Sequence, residues 1–183
     1  MKLKIITSNP GKVIEYREAL SSFSIDTEHV RIPYDEIQTS ELKDVVKHGM
    51  RTLKELGLKD FIIDDSGMFV DALKGFPGVY SSYVQKTIGN AGILKLMENV
   101  KLRNANFQCC IGCNINGHDI VVLGRCDGVI LKSEKGTEGF GYDPIFSIDG
   151  KRSLAEIPVT EKNTVSHRGN AVRLLINEMK NIL

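Results

Sequence analysis

The stretch Phe61-Ile62-Ile63-Asp64-Asp65-Ser66-Gly67 runs three apolar residues straight into two acids, a serine and a glycine. A short apolar run that stops in this way reads as a buried strand whose end delivers charge to a cleft. Carboxylates are seldom buried alone, because removing their water is costly. A bound divalent cation is the usual hard-oxygen partner for such a pair. The alternative for either acid is a turn cap ahead of Gly67, a role Asp fills well.

Before this run, Leu3 to Thr7 reads as a first buried strand, followed by a turn over Ser8-Asn9-Pro10-Gly11-Lys12 and a helix from Val13 to Leu20. Ser24 to Val30 reads as a second strand and Asp35 to Thr39 as loop. Ser40 is the expected N-cap of a helix whose Leu42, Val45, Val46, Met50, Leu53 and Leu56 recur at helical spacing, with Gly57 as its stop. After the acids, Met68 to Ala72 reads as another strand and Gly75 to Gly78 as a turn. A short helix is expected from Ile93 to Val100. Asn106 to Ile115 and Asp119 to Leu123 form a hairpin signal around Asn116-Gly117, with strand character resuming from Gly128 to Leu131. A helix from about Val165 through Met179 closes the chain. Strands and helices that alternate early and an antiparallel pair later imply an α/β fold with a mixed sheet flanked by helices.

Length and charge set bounds. A chain of 183 residues suits one domain with a real core, and a net charge of +1 gives no bulk electrostatic reason to expect a nucleic-acid or membrane surface. No apolar run approaches the ~20 residues of a membrane span, and Met1-Lys2-Leu3-Lys4-Ile5-Ile6 is too short for a signal peptide. A soluble, cytoplasmic protein is expected. Cys110 and Cys113 have the spacing of a metal or redox pair, but they lie in a segment of strand periodicity, where residues three apart face opposite sides. Cys109 and Cys113 share a face yet stand roughly 13 Å apart, beyond disulfide reach. With Cys126 they read as free core thiols.

Four further stretches carry chemistry. Thr7-Ser8-Asn9-Pro10-Gly11-Lys12 puts hydroxyls, an amide, backbone N–H groups and a lysine at a helix start, which suits phosphate oxygens, although it lacks the spacing of a Walker loop. A capped helix after an Asn-Pro-Gly turn is the plainer reading. Lys47, Arg51 and Lys54 lie on the polar side of the helix after Ser40; they are either a solvated face or a source of one phosphate-balancing charge. Gly139-Phe140-Gly141-Tyr142-Asp143-Pro144 can present a ring and backbone groups to a flat ligand, with Asp143 accepting from ring N–H donors, or can simply be a packed turn. In Glu161-Lys162-Asn163-Thr164-Val165-Ser166-His167-Arg168-Gly169, Ser166 is a natural N-cap. Lys, His and Arg near a helix N-terminus oppose its dipole, so the cluster calls for an acidic partner or ligand.

Thr7-Ser8-Asn9-Pro10-Gly11-Lys12, Asp64-Asp65-Ser66-Gly67, Asp71-Ala72-Leu73-Lys74-Gly75-Phe76-Pro77-Gly78-Val79-Tyr80-Ser81, Gly139-Phe140-Gly141-Tyr142-Asp143-Pro144 and Ser166-His167-Arg168-Gly169 resemble, in order, the motifs of the Ham1/inosine triphosphatase family of nucleotide pyrophosphatases. Any one is weak; five in family order are specific. The resemblance implies an elongated, two-lobed single domain over residues 1–183, a long mixed sheet, and an active site in the cleft between lobes. It implies a homodimer, dependence on Mg²⁺, and hydrolysis of noncanonical purine triphosphates (ITP, XTP, dITP) to the monophosphate and pyrophosphate. By the same resemblance Asp65 activates water or holds the metal, Glu36 is a metal ligand with Asp35 as its stand-in, and Asp64 is a further ligand or a supporting residue. Lys47, rather than Arg51 or Lys54, is the catalytic phosphate-contacting lysine. Thr7, Ser8, Asn9, Lys12 and Ser66 contact the substrate's phosphate side, and Phe140, Gly141, Tyr142, Asp143, Lys162, His167 and Arg168 its base. Two other readings stand beside it: a Maf-like pyrophosphatase for modified pyrimidine nucleotides, and a nucleotide-binding protein without catalysis.

Overall fold

The computed structural model describes residues 2–21, 23–35, 37–180 and 182. Two parallel units open the chain: β1 (Lys2–Ile6), α1 (Pro10–Ser21), β2 (Asp26–Val30), α2 (Leu42–Glu55) and β3 (Phe61–Val70). β1 lies between β2 and β3, and it is parallel to both. An antiparallel half follows. β4 (Pro77–Gly78) pairs with one edge of β3, and β5 (Asn104–Ile115) and β6 (His118–Ile130) form the long hairpin on the other edge, with β7 (Phe146–Ser147) outermost. Between these come α3 (Ser81–Thr87) and α4 (Gly89–Leu96), and α5 (Val159–Val165) and α6 (His167–Met179) end the described fold. The result is an open, mixed, seven-stranded sheet flanked by helices, the α/β class expected.

The helices take opposite faces. Tyr16, Ala19 and Leu20 of α1 pack with Ala171, Val172 and Leu175 of α6 against Leu3, Ile5, Ile62, Cys109 and Cys113. Leu42, Val46, Met50 and Leu53 of α2 cover the other face, against Phe61, Ile63 and Cys110. The strand alternation therefore separates Cys110 from Cys113 as expected, and all four cysteines are buried and unbridged.

Several expected boundaries move. The two short strands around the acids are one continuous strand, so Asp64 and Asp65 lie in the middle of β3 rather than at its end. Residues 61–70 of β3 are fully laddered to β5, whose hydrogen bonds carry the strand through the charged residues. α1 begins at Pro10, not Val13, because Pro is preorganised for a first helical turn. Glu41, not Ser40, occupies the N-cap of α2, and Thr39 accepts from its N–H. Helices α3 and α5 were not anticipated, whereas the terminal helix runs from His167 to Met179 with Ser166 as its N-cap, as expected, accepting from the Gly169 N–H. The hairpin turn is as expected: Asn116 and Gly117 both have positive φ, which the tight turn demands.

Candidate active site

The sheet has a gap where the site lies. On the edge of β3 away from β5, β1 pairs only with Phe61 and Ile62, and β4 only with Met68 and Phe69. Residues 63–67, including both acids, face that gap. It lies beyond the end of β1, beside the turn into α1, where open α/β sheets place their ligands. A cavity of about 650 Å³ fills it. Apart from Lys47, its wall contains every residue expected to contact substrate, together with Asp64 and Asp65.

Along the α1/α6 face of β3, Ile62 belongs to one core cluster and Met68 to another, with Asp64 and Ser66 between them. This polar break is the start of a buried chain of charge. Lys12 reaches the Asp64 carboxylate at 3.1 Å and donates to its carbonyl at 3.1 Å. Arg168 donates to Asp64 at 3.0 Å, to Ser66 Oγ at 3.0 Å and to Glu15. Lys162 bridges Glu15 at 2.5 Å and Asp143 at 2.6 Å, and Asp143 accepts from the Phe140 N–H at 2.7 Å. Three carboxylates thus alternate with three cations from the α1 loop to the Gly139–Asp143 turn. Burial alone would raise the carboxyl pKa values, but Lys12 and Arg168 hold Asp64, and Arg168 and Lys162 hold Glu15, below the ordinary carboxylate range.

Of the acidic partner or ligand that the basic cluster at the start of α6 calls for, the structure shows the partner: Glu15, Asp64 and Asp143 answer it from within the chain. Asp143 is engaged by Lys162 and a backbone N–H. Glu15 was missed. Its signal was a charge four residues before Ala19, on the helix stripe that carries Tyr16 and Leu20 into the core.

Asp65 projects to the opposite face, toward α2. It is half-buried, its Oδ1 accepts from the Ser66 N–H at 2.9 Å, and it lies opposite Cys110 in the ladder. Lys43 and Lys47 of α2 are the cations whose charge reaches Cys110. Lys47 is exposed and does not line the cavity, whereas Arg31 and Lys86 do. Lys54 pairs with Asp119 elsewhere. Glu36 lies outside the described residues, and Asp35 is exposed and off the cavity wall. Among the described residues no three His, Cys, Asp or Glu side chains converge as metal ligands.

The phosphate-type loop has a plain local cause. Asn9 Oδ1 accepts from the Gly11 N–H at 2.9 Å, capping α1, and Thr7 Oγ1 accepts from the Asn9 N–H at 3.1 Å. The positive end of the helix dipole therefore opens on the cavity beside Lys12. At Gly11 a Cβ would fall 2.4 Å from Cδ1 of Phe140, so glycine is what lets that ring lie on the helix start. The same ring stands 5.0 Å from the Lys162 ammonium and 5.8 Å from the Arg168 guanidinium. Nearby, His167 stacks on Phe107 at 4.6 Å. Burial, and then the charges of Arg168 and Lys162, hold its imidazole well below its ordinary pKa, so it is neutral.

A doubly wound α/β protein with cations and a helix N-terminus on one cavity wall, and aromatic rings with a neutral imidazole on another, is built for a flat ligand bearing anionic groups. The Ham1 family model matches residues 3–178, and the chain belongs to the Ham1 family. It is 47% identical over 181 residues to the dITP/XTP pyrophosphatase of Pyrococcus horikoshii, spanning 98% of this chain and 97% of that one. It is 45% identical to the dITP/XTP pyrophosphatase of Thermococcus kodakarensis, with 98% of each covered. The Staphylococcus aureus Ham1 structure superposes with a TM-score of 0.82 at 24% identity over 100% of both chains, sharing the fold.

Proposed function

We propose that the chain hydrolyses noncanonical purine nucleoside triphosphates (dITP, ITP and XTP) to the monophosphate and pyrophosphate. One observation carries the reading beyond the relatives' names: a single buried charge chain joins an anion-binding helix start to an aromatic wall within one cavity. The triphosphate lies along Thr7, Ser8, Asn9, Lys12 and Ser66, and the base against Phe140, Gly141, Tyr142, Lys162, His167 and Arg168.

In this reading Asp64 is the support that holds Lys12 and Arg168, and Asp65, on the other face, serves the reaction. Asp65 orients the attacking water and takes its proton. The water oxygen bonds to the α-phosphorus as the bond to the α–β bridging oxygen breaks, and pyrophosphate leaves with that electron pair. Lys12 and the α1 amides stabilise the charge that develops on the phosphate oxygens. The available donors are carboxylate and hydroxyl oxygens, which fit a hard divalent cation. Mg²⁺ suits few protein ligands plus substrate phosphates, with Asp65 and Glu36 as the protein's share. Bound there, it would neutralise the polyphosphate and polarise the attacked phosphorus.

Base selection follows from unpaired groups. Hypoxanthine and xanthine carry a 6-oxo acceptor and an N1–H, whereas adenine carries a 6-amino group and a bare N1. A donor held by the neutral His167 or by Arg168 is satisfied by O6 and left unpaired by adenine, a mismatch able to discriminate by ~10⁴ or more.

The enzyme works in the cytoplasm as a homodimer in this reading. Its buried thiols suit a reducing compartment, and Phe76, Tyr80, Tyr83 and Ile88 expose apolar surface on the β4–α3 segment. Among the described residues no helix is long and apolar enough to cross a membrane. The test is pyrophosphate release with Mg²⁺ from dITP, ITP, XTP, the four common triphosphates and modified pyrimidine triphosphates. Release from the first three is expected. Release confined to modified pyrimidines, or none at all, overturns the assignment.

A further inference from the structure

Helix α3 joins the two halves of the cavity, and nothing in the motifs anticipated it. At its start the buried Ser81 Oγ accepts from the Met68 N–H at 2.8 Å and donates to the Gly78 carbonyl at 2.6 Å. The helix is thereby tied to β3 three residues beyond Asp65. The Ser81 carbonyl accepts from Tyr142 Oη at 3.0 Å. One turn further on, Gln85 lines the cavity and donates through Nε2 to the Gly141 carbonyl at 2.9 Å. Positions 81 and 85 fall on one face of the helix, and both grip the turn that carries Phe140.

The Gln85 amide bears a cost that a hydrocarbon would not. Its Oε1 is buried and has no hydrogen-bond partner among the described residues. A buried unpaired acceptor is destabilising, and a leucine of similar shape would avoid it. The bond to Gly141 is what the amide supplies in return. Gly141 needs that restraint, because it sits at φ +64°, and a Cβ there would meet nothing within 4 Å. The far side of the turn is fixed by Asp143 on the Phe140 N–H, so Gln85 secures the side that faces α3.

We propose that Gln85 is a positioning residue for base recognition: by holding the Gly141 carbonyl it sets the Phe140–Tyr142 wall at its working distance from the rest of the cavity. The proposal rests on the reading that this wall receives the base. It places the effect on the nucleoside half of the substrate and not on its phosphates.

The test uses Gln85→Leu, which removes the donor, and Gln85→Glu, which keeps the shape but cannot donate while ionised. For both, KM for dITP should rise roughly five- to tenfold, the size of one lost hydrogen bond, while kcat stays within about threefold. Inhibition by inorganic tripolyphosphate, which has no base, should be unchanged in Gln85→Leu, as should its melting temperature, since the lost bond is offset by removal of the unpaired acceptor. The Gln85→Glu defect, taken relative to wild type at each pH, should shrink as pH falls from about 6 to about 4, through the ordinary Glu range near 4.3, as the protonated carboxyl regains a donor. Unchanged KM in both variants overturns the proposal. So does, in Gln85→Leu, a tripolyphosphate constant that rises in step with KM or a parallel loss of melting temperature, since either marks a general packing role. Calorimetric binding of dITP keeps this separate from the hydrolysis reading: a wild-type chain that binds dITP and releases no pyrophosphate sinks the latter alone.

Discussion

The two faces of β3 treat adjacent, identical side chains in opposite ways. Asp64 points toward α1 and α6, where Lys12, Arg168, Ser66 and the Cys109 thiol converge on its carboxylate. Asp65 points toward α2, half-buried at the cavity. The first sits in a closed, charge-balanced lattice, and its ionised form is secured by two cations. The second opens on the space where substrate would lie. A strand alternates its side chains with period two, so in the proposed mechanism one residue of sequence separates a structural charge from a reactive one.

Exchanging each acid for its amide gives the sharpest contrast. Asp65→Asn should lower turnover by about 10²–10⁴, the range of a lost general base, with the unfolding midpoint in denaturant unchanged. Asp64→Asn should act the other way round, on stability. It leaves the buried Arg168 and the half-buried Lys12 short of a carboxylate, a break worth about 3–5 kcal/mol, read by chemical denaturation. If Asp64→Asn proved fully stable, or Asp65→Asn kept near-normal turnover, the division between the two faces would collapse.

The same geometry explains what the amino-acid sequence made legible. The acids were recognisable because polar residues interrupt an apolar run, but their placement at a strand end was wrong. Local pattern cannot see the β5 ladder that keeps residues 61–70 extended through them. The phosphate-type loop and the Phe140 turn were legible because glycine, proline and asparagine act locally, through caps and turns. Glu15 was not, because its partners are 147 and 153 positions away. The Lys162–Arg168 cluster was legible in its demand for an acidic partner or ligand, but not in which residues answer it, because Glu15 and Asp64 lie 153 and 104 positions from Arg168. Helix α3 is short and lies next to a glycine-rich turn, so its periodicity was too brief to register.

Gly11 tests whether the two ends of the cavity are fitted to each other or merely adjacent. Adding a methyl group at Gly11 brings it to 2.4 Å from the Phe140 ring, so ring or helix start must move. Overpacking of this kind costs about 1–3 kcal/mol, and Gly11→Ala should show it in denaturation together with a raised KM for dITP. Phe140→Ala in the same background removes the clash and should restore most of the stability while leaving KM high. Equal stability of Gly11→Ala and wild type would mean that the ring turns away freely and the fit is loose.

The smallest effect separates the titrations of the site. His167 is buried against Phe107 with its pKa depressed, so between that value and the unfolded value near 6.5 only the unfolded chain takes up the proton. Stability is then fully present above about pH 6.5 and declines as pH falls, by about 2 kcal/mol between pH 7 and pH 5 when the folded pKa lies below that range. Asp64 and Glu15 are also depressed, but their unfolded values lie near 4, so their contribution is lost only at lower pH. The first window opens about two pH units above the second. Denaturation across pH should therefore show a first decline beginning near pH 6.5, which His167→Gln abolishes, and a second below about pH 4, which it leaves intact. A first decline that survives in His167→Gln would place the titrating group elsewhere and return the imidazole to the cationic side of the cavity.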